Sequence, residues 1–435
     1  MHKLKFQKIF DFTLLTSVLI LTTCGIIFIY SAGVNAERAS AHYEYSKQIV
    51  WAVISVLAMT VFALINYNIF YRYSPHILAV SIAVLMLILL KGRISGGARS
   101  WIGIFGFGIQ PSELTKISYT LFLAWYLERS ENEQPFKRFA ISLISLFIPM
   151  GVILVQPDFG TASVFIAIFL VACFMANIKA IYLVSFVGCG VLAVILAVLP
   201  ELYKNSSFFL LRLISNSKFH LVLGLGTFLI TVISLIAYKQ FKVKYWYYIA
   251  LVTGIICASL ILSFGMWKVF QKYEYQIKRL LSFINPEKEK LGSGWQIINS
   301  KNSIGSGGLF GRGFLNGHLT QANFLPEATT DFIFSIFCEE MGFAGGIVIF
   351  LAYMLLFMRT IYIIKQTTSK YACYIASGIL GMFFYHFMIN VGMTMGLMPI
   401  TGIPLPFLSY GGSSLLTSMI AVGILMSINY RRLDF

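Results

Sequence analysis

Residues 292–314, GSGWQIINSKNSIGSGGLFGRGF, and 323–334, NFLPEATTDFIF, are the polar heart of a predicted outer segment, about 268–331, in a chain otherwise made of apolar runs. The second string carries Asp331 straight into an apolar stretch, so a carboxylate stands where a membrane helix meets the water-facing mouth of the protein. Ionisable groups at such junctions are costly to desolvate and mark function by default. What flanks the junction decides the fold class, because the runs on either side are long enough to cross a bilayer.

Composition agrees: 58% of the 435 residues are hydrophobic, 11% are charged, and the mean hydropathy is +0.80. Such a chain is an integral membrane protein. Apolar stretches begin near residues 13, 49, 74, 112, 139, 160, 180, 219, 247, 332, 373 and 407, which predicts an all-α polytopic bundle of about twelve spans, folded as a single domain over 1–435. The net charge of +16 does not point to nucleic acid, since the basic residues are scattered through short loops rather than gathered on one domain. Alternate loops are the basic ones. Lys3, Lys5, Lys8, Arg72, Arg129, Lys137, Arg138, Lys179, Lys239, Lys242, Lys244, Arg359, Lys365, Lys370, Arg431 and Arg432 fall on one side, which places both termini in the cytoplasm and the 268–331 segment outside. The first run is about 18 residues long and is followed by further spans, so it reads as an uncleaved helix rather than a signal peptide. All six cysteines fall inside spans, and the histidines form no HxH or HxxxH pair, so neither a disulfide framework nor a zinc site is expected.

Four polar clusters remain. Arg99 in GGARSW precedes QPSELTK, where Pro111 opens a helix and puts Glu113 and Lys116 on one face; the alternatives are a local ion pair on a capped helix and an intramembrane pair with a role in the site. Gln156 and Asp158 in QPDFGT lie on a tight link, with Asp158 either capping the next helix or facing substrate. Residues 301–313, KNSIGSGGLFGRG, read as a flexible loop or as a diphosphate clamp of backbone amides with Lys301, Ser306 and Arg312; the string matches no P-loop and no dinucleotide fingerprint. Residues 399–414, PITGIPLPFLSYGGSS, are an uncharged, re-entrant-looking loop, which survives at membrane depth only when buried in protein or lining a cavity. Asp331 itself reads either as the N-cap of the helix that follows or as a base or cation ligand held at a rigid helix end.

The strings YSAG, GGARSWI, QPSELTK, QPDFGTA, SKNSIGSGGLFGRGFLNG, FLPEATTDFIF, EEMGF and GLMPITGIPLPFLSYGGSS occur in the order that resembles the SEDS family of cell-wall proteins (RodA, FtsW, SpoVE), with FLNG and GIPLPF on the RodA side. The resemblance covers about 11–176 and 268–430. It implies a peptidoglycan glycosyltransferase that polymerises lipid II on the outer face of the cytoplasmic membrane, inverts the anomeric centre, releases undecaprenyl diphosphate and serves cell elongation. It also implies a class B penicillin-binding protein and other elongation-complex membrane proteins as partners.

Carried onto this chain, the family's essential aspartate is Asp331 and its membrane pair is Glu113 and Lys116. Arg99, Lys301, Ser306, Arg312, Glu327, Asp158 and Gln156 are the expected diphosphate and sugar contacts. A divalent cation, Mg or Mn, at Asp331 is compatible with this chemistry, and no organic cofactor is expected. Thr329 stands where the family usually has His, Arg312 stands where Lys is common, and about 200–246 adds what looks like a helix pair to the family's ten spans. Two rival classes remain open from the residues: a flippase for the lipid-linked precursor, using Glu113, Lys116 and Asp158 along a path, and a scaffold that packs a partner helix on a face such as Gly342–Gly346.

Overall fold

The computed structural model describes residues 10–34, 43–91, 93–95, 98–104, 107–202, 217–272, 274–284, 286–288, 292–322, 324–325 and 327–432. Lys3, Lys5, Lys8, Gly96 and Gly97, with part of the expected insertion, fall outside them. Contacts divide the chain into a larger unit, residues 1–178 and 286–435, and a smaller one, 179–285.

In the larger unit, helices α1 (Phe12–Gly33), α2 (Glu44–Leu64) and α3 (Asn68–Lys91) lead into three short antiparallel strands, β1 (Arg93–Ser95), β2 (Ala98–Ile104) and β3 (Phe107–Ile109). Then come α4 (Pro111–Arg129), α5 (Pro135–Val155) and α6 (Phe159–Met175). The chain re-enters this unit through α11 (Ser293–Ser306) and α12 (His318–Gln321), and closes with α13 (Ile333–Gln366), α14 (Lys370–Thr394) and α15 (Gly412–Arg431). Between its ends, α7 (Ala180–Leu202), α8 (Ser217–Phe241), α9 (Lys244–Lys272) and α10 (Glu274–Ile284) form the smaller unit. Among the described residues ten helices are long and apolar enough to cross a membrane; α4, which carries Glu113, Lys116, Glu128 and Arg129, and α6, at 17 residues, complete the twelve expected runs. The stretch read as an outer segment from 268 is largely helical: α9 continues to Lys272, and α10, α11 and α12 follow.

The sequence explains how the two ends of the larger unit are locked. Asp11 caps α1 by accepting from the amides of Thr13 and Leu14, while its other oxygen takes Arg359 Nε at 2.6 Å and Asn429 Nδ2 at 3.0 Å. At the far end of α1, the Ser31 hydroxyl donates to Glu340 near the start of α13. The two helices therefore run antiparallel, and the segment 293–331 belongs to the end where α1 finishes. Glu44 opens α2 and Thr394 closes α14 at that same mouth, joined to it by Thr329 and Ser300.

The expected uncharged loop is buried within protein, as an unpaired backbone at membrane depth requires. Ile403, Leu405, Phe407 and Leu408 are each no more than 2% exposed. Glycines allow the approach: a Cβ on Gly25 would meet Leu408 O at 2.5 Å, and one on Gly160 would meet Thr401 O at 2.6 Å.

In the smaller unit, α8 and α9 pack through small residues. Gly224 faces Leu260, Gly254 faces Thr231, and the Thr231 hydroxyl donates to that of Thr253 at 2.9 Å. Helix α9 holds α7 through Ser259, whose hydroxyl bonds Cys189 O at 3.2 Å. This is the small-residue packing that membrane helices use where apolar burial gives no preference for protein over lipid.

Candidate functional site

Asp331 is presented by a turn. Glu327 adopts φ 57°, and its carbonyl accepts from the amides of Thr330 at 3.3 Å and Asp331 at 3.1 Å, which swings the chain into α13. The N-cap position of α13 is Phe332, so the capping role considered for Asp331 falls one residue away from it. The reason is local: Phe332 is 1% exposed and packs with Ile297, Leu325, Met393 and Ile400, and seating that ring sets where the helix begins. The Asp331 residue is half-buried, its carbonyl accepting from Asn390 Nδ2 at 3.0 Å. Thr329, where the family usually has His, is tied on both sides: its hydroxyl donates to Glu44 at 2.7 Å, and its carbonyl accepts from the Tyr410 amide at 2.9 Å.

Lys301 and Arg312 reach this mouth by different routes. Helix α11 is anchored by Ser300, whose hydroxyl meets that of Ser335 and the Thr394 carbonyl, each at 2.6 Å. Its neighbour Lys301 is left exposed, its stem passing Gly396. Arg312 is also exposed, with Nε on the carbonyl of Ser306; the Ser306 hydroxyl is spent on Ser303 O at 2.9 Å.

The glycine string does a different job from the amide cradle considered above. Helix α13 is broken at Gly342 (φ 67°, ψ −166°), which strips backbone partners from the helix on either side. The string supplies them. Arg312 N bonds Glu339 O at 3.1 Å, Gly313 N bonds Glu340 O at 3.0 Å, Phe343 N bonds Gly308 O at 2.9 Å and Ala344 N bonds Leu309 O at 3.0 Å. The amides of Gly307, Gly308 and Gly311 go to carbonyls of the same stretch. These donors are consumed by protein, so the cationic side chains, not the amides of those five residues, are what the string offers an anion. Gly342 also carries no free face for a partner helix, since a Cβ there would lie 2.2 Å from Gly311 N. Glu339, wholly buried, clamps the same strap by accepting from Ser303 Oγ, Leu319 N, Thr320 N and Thr320 Oγ1 between 2.7 and 3.2 Å.

The membrane pair forms as expected and has a third member. Lys116 Nζ lies 2.8 Å from Glu113, with side chains 1% and 5% exposed, and also donates to His386 Nε2 at 3.1 Å. His386 Nδ1 is 3.0 Å from Pro404 O, which can only accept, so the proton sits on Nδ1 and Nε2 takes the ammonium. The remaining candidates separate. Asp158 caps α6 through the Thr161 amide at 3.0 Å, and its second oxygen takes Gln110 Nε2 at 2.8 Å. Gln156 is 1% exposed and spends its amide on Leu85 O at 3.1 Å, inside the bundle. Glu327 is exposed on the turn. Arg99 sits on β2 opposite Ile94. His386 and Asn390 escaped sequence reading because each is a lone polar residue in an apolar run; their i, i+4 spacing on one face was the available signal.

A polytopic helical bundle with a carboxylate and two exposed cations at one mouth, over a sealed charge cluster, defines the class of protein. The family described as "Cell cycle protein" (FtsW, RodA, SpoVE) matches residues 12–218 and 221–433, and the chain belongs to it. It is 45% identical over 430 residues to "Peptidoglycan glycosyltransferase RodA" of Treponema pallidum (strain Nichols), covering 98% of each chain. It is 33% identical over 429 residues to "Stage V sporulation protein E" of Bacillus subtilis (strain 168), covering 96% of each. Among solved structures it resembles a chain described under "Structural coordination of polymerization and crosslinking by a peptidoglycan synthase complex", with TM-score 0.69 and 20% identity over 98% of this chain and 99% of that one. It also resembles the rod shape determining protein RodA of Thermus thermophilus, with TM-score 0.60 and 21% identity over 98% of both. At these identities the structures speak for the fold.

Proposed function

We propose that this chain is a peptidoglycan glycosyltransferase that polymerises lipid II into glycan strands during cell elongation, working at the outer face of the cytoplasmic membrane with both termini inside. The observation that carries the reading of the site is the turn that holds Asp331 at the mouth of the bundle, on the end to which α11 and the strap bring Lys301 and Arg312.

The chemistry follows from those groups. Asp331 takes the proton of the acceptor sugar's 4-hydroxyl as that oxygen attacks the donor's anomeric carbon. The bond from this carbon to the diphosphate breaks, and undecaprenyl diphosphate leaves with the electron pair. One in-line displacement turns an α-linked donor into a β-linked product, so the enzyme needs no nucleophile of its own. Lys301 and Arg312, with Arg99 on β2, neutralise the charge that grows on the leaving group; guanidinium suits it through paired donors and ammonium as a point charge. The Glu113–Lys116–His386 cluster, sealed inside the bundle, serves as scaffolding for the site.

Among the described residues no three His, Cys, Asp or Glu side chains gather into a cage. A Mg or Mn ion is still compatible, because such ions are often held by one carboxylate and the substrate's phosphates. Asp331 would be that carboxylate, and the ion would supply further neutralisation of the diphosphate. A class B penicillin-binding protein that crosslinks the product, together with other elongation-complex membrane proteins, completes the assembly.

The test uses purified chain with lipid II in detergent, where flipping has no meaning. Wild type, with its partner, forms glycan strands, and Asp331→Asn lowers the rate by about 10²- to 10⁴-fold, the usual range for a general base. Polymerisation by Asp331→Asn at the wild-type rate sinks the assignment.

A further inference from the structure

Asn390 lies on α14 one helical turn beyond His386, and no part of its surface is exposed. Its Nδ2 donates twice, to Asp331 O at 3.0 Å and to Ile403 O at 2.8 Å. A primary amide nitrogen carries two hydrogens, so both are spent on carbonyls that can only accept, and the opposite amide orientation would set oxygen against oxygen. Its Oδ1 is buried with no partner among the described residues. Burying an amide with half its capacity unmet is unfavourable, so apolar packing alone does not account for asparagine here. His386 treats the next carbonyl of the same loop likewise, donating to Pro404 O while accepting from Lys116. Face by face, α14 therefore presents two donors to successive carbonyls, 403 and 404, of a loop that cannot form regular structure, and one of those donors also grips the backbone of Asp331.

We propose that Asn390 is a positioning residue for Asp331: it clips the backbone carbonyl of that residue to the buried loop 399–411, with His386 extending the same set of contacts to the Glu113–Lys116 pair. The loop gains its footing from the rest of the larger unit, since Gln48 bonds Ser409 O and the Gly411 amide, each at 3.3 Å. The Tyr410 amide bonds Thr329 O, two residues before Asp331. The turn bearing the carboxylate is thus held at residues 329 and 331 by a loop that is itself pinned to α2 and α14. A base held this way keeps its reach to the acceptor hydroxyl without relying on the exposed side of the turn, and a displacement on the order of 1 Å at such a group costs about 10²-fold in rate.

This inference rests on the glycosyltransferase reading, and its test carries one readout independent of catalysis. Asn390→Ala removes both donors, and Asn390→Leu removes them while nearly conserving volume. In each variant, hydrogen exchange is expected to quicken in segments 327–335 and 399–405 together. On the folded fraction, kcat falls about 10- to 100-fold, while KM for lipid II stays within about twofold because the cations that bind diphosphate are untouched. A merely structural role predicts that Asn390→Leu restores what Asn390→Ala loses and that kcat per folded molecule is unchanged. That result, or exchange unaltered in both segments, overturns the proposal. An inactive wild-type chain whose variants still show the faster exchange would count against the glycosyltransferase reading instead.

Discussion

The two units of this chain are built from similar apolar helices, yet they use polarity in opposite ways. In the larger unit the buried share of each helix's most apolar window runs from 22% in α3 to 89% in α15; in the smaller unit it runs only from 11% in α8 to 28% in α9. The larger unit spends that burial on ions and amides: Asp11, Glu113, Lys116, Arg138, Glu339 and Glu340 are all 7% exposed or less. The smaller unit holds its helices by glycine contacts and single hydroxyl bonds such as Thr231 to Thr253. Apolar surface in a bilayer is satisfied by lipid, so it cannot pick one helix arrangement over another, whereas a buried charge is tolerable only against its own partner. Precision, and therefore chemistry, resides where the charges are.

The comparison can be broken at several points. The largest stability effect is expected from Lys116→Met, which leaves Glu113 and His386 facing each other without the cation; removing one member of a buried pair costs about 3–5 kcal/mol. The double variant Lys116→Met with Glu113→Gln should recover part of that loss in a detergent thermal-melt series, and failure to recover any would show that the pair does not act as a unit. Next comes Gly342→Ala. An alanine at φ 67° is strained by about 1–3 kcal/mol, and its Cβ would overlap Gly311 N, so the strap should loosen. Limited proteolysis within 305–317 is the measurement, and an unchanged cleavage rate would dissociate the strap from the helix break. Smallest is Thr231→Val in the other unit, where one interhelical hydroxyl bond is worth about 0.6 kcal/mol. A thermal shift there as large as for Lys116→Met would erase the distinction between the units.

Much of the fold was legible because bilayer crossing imposes length and apolarity on each helix separately. The start of α4 was readable from Pro111, and the burial of 399–411 followed from the lack of charge in a loop at membrane depth. The strands within 93–109 passed as loop because two of the three, β1 and β3, are three residues long and leave too few alternations to detect, and the seven residues of β2, ARSWIGI, do not alternate cleanly between apolar and polar. In the site, Asp331, Glu113 and Lys116 stood out as ions in or beside apolar runs. Gln156 also stood out, yet its amide is turned onto Leu85 O, a partner 71 residues away that no local pattern announces. Glu339 lay within a recognised string, but its four donors come from residues 303–320, and only folding brings them together.

By itself, the amino-acid sequence determined that this chain spans a membrane, roughly how many times, and that Asp331 stands where an apolar helix begins. Those properties depend on residues close together along the chain and on the cost of placing each in lipid. What only the tertiary structure decided is which carbonyl each buried donor serves: Asn390 on 331 and 403, His386 on 404, and the glycine string on the break at 342. Hydrogen bonds between distant segments are selected by geometry, and geometry exists only once the helices have packed.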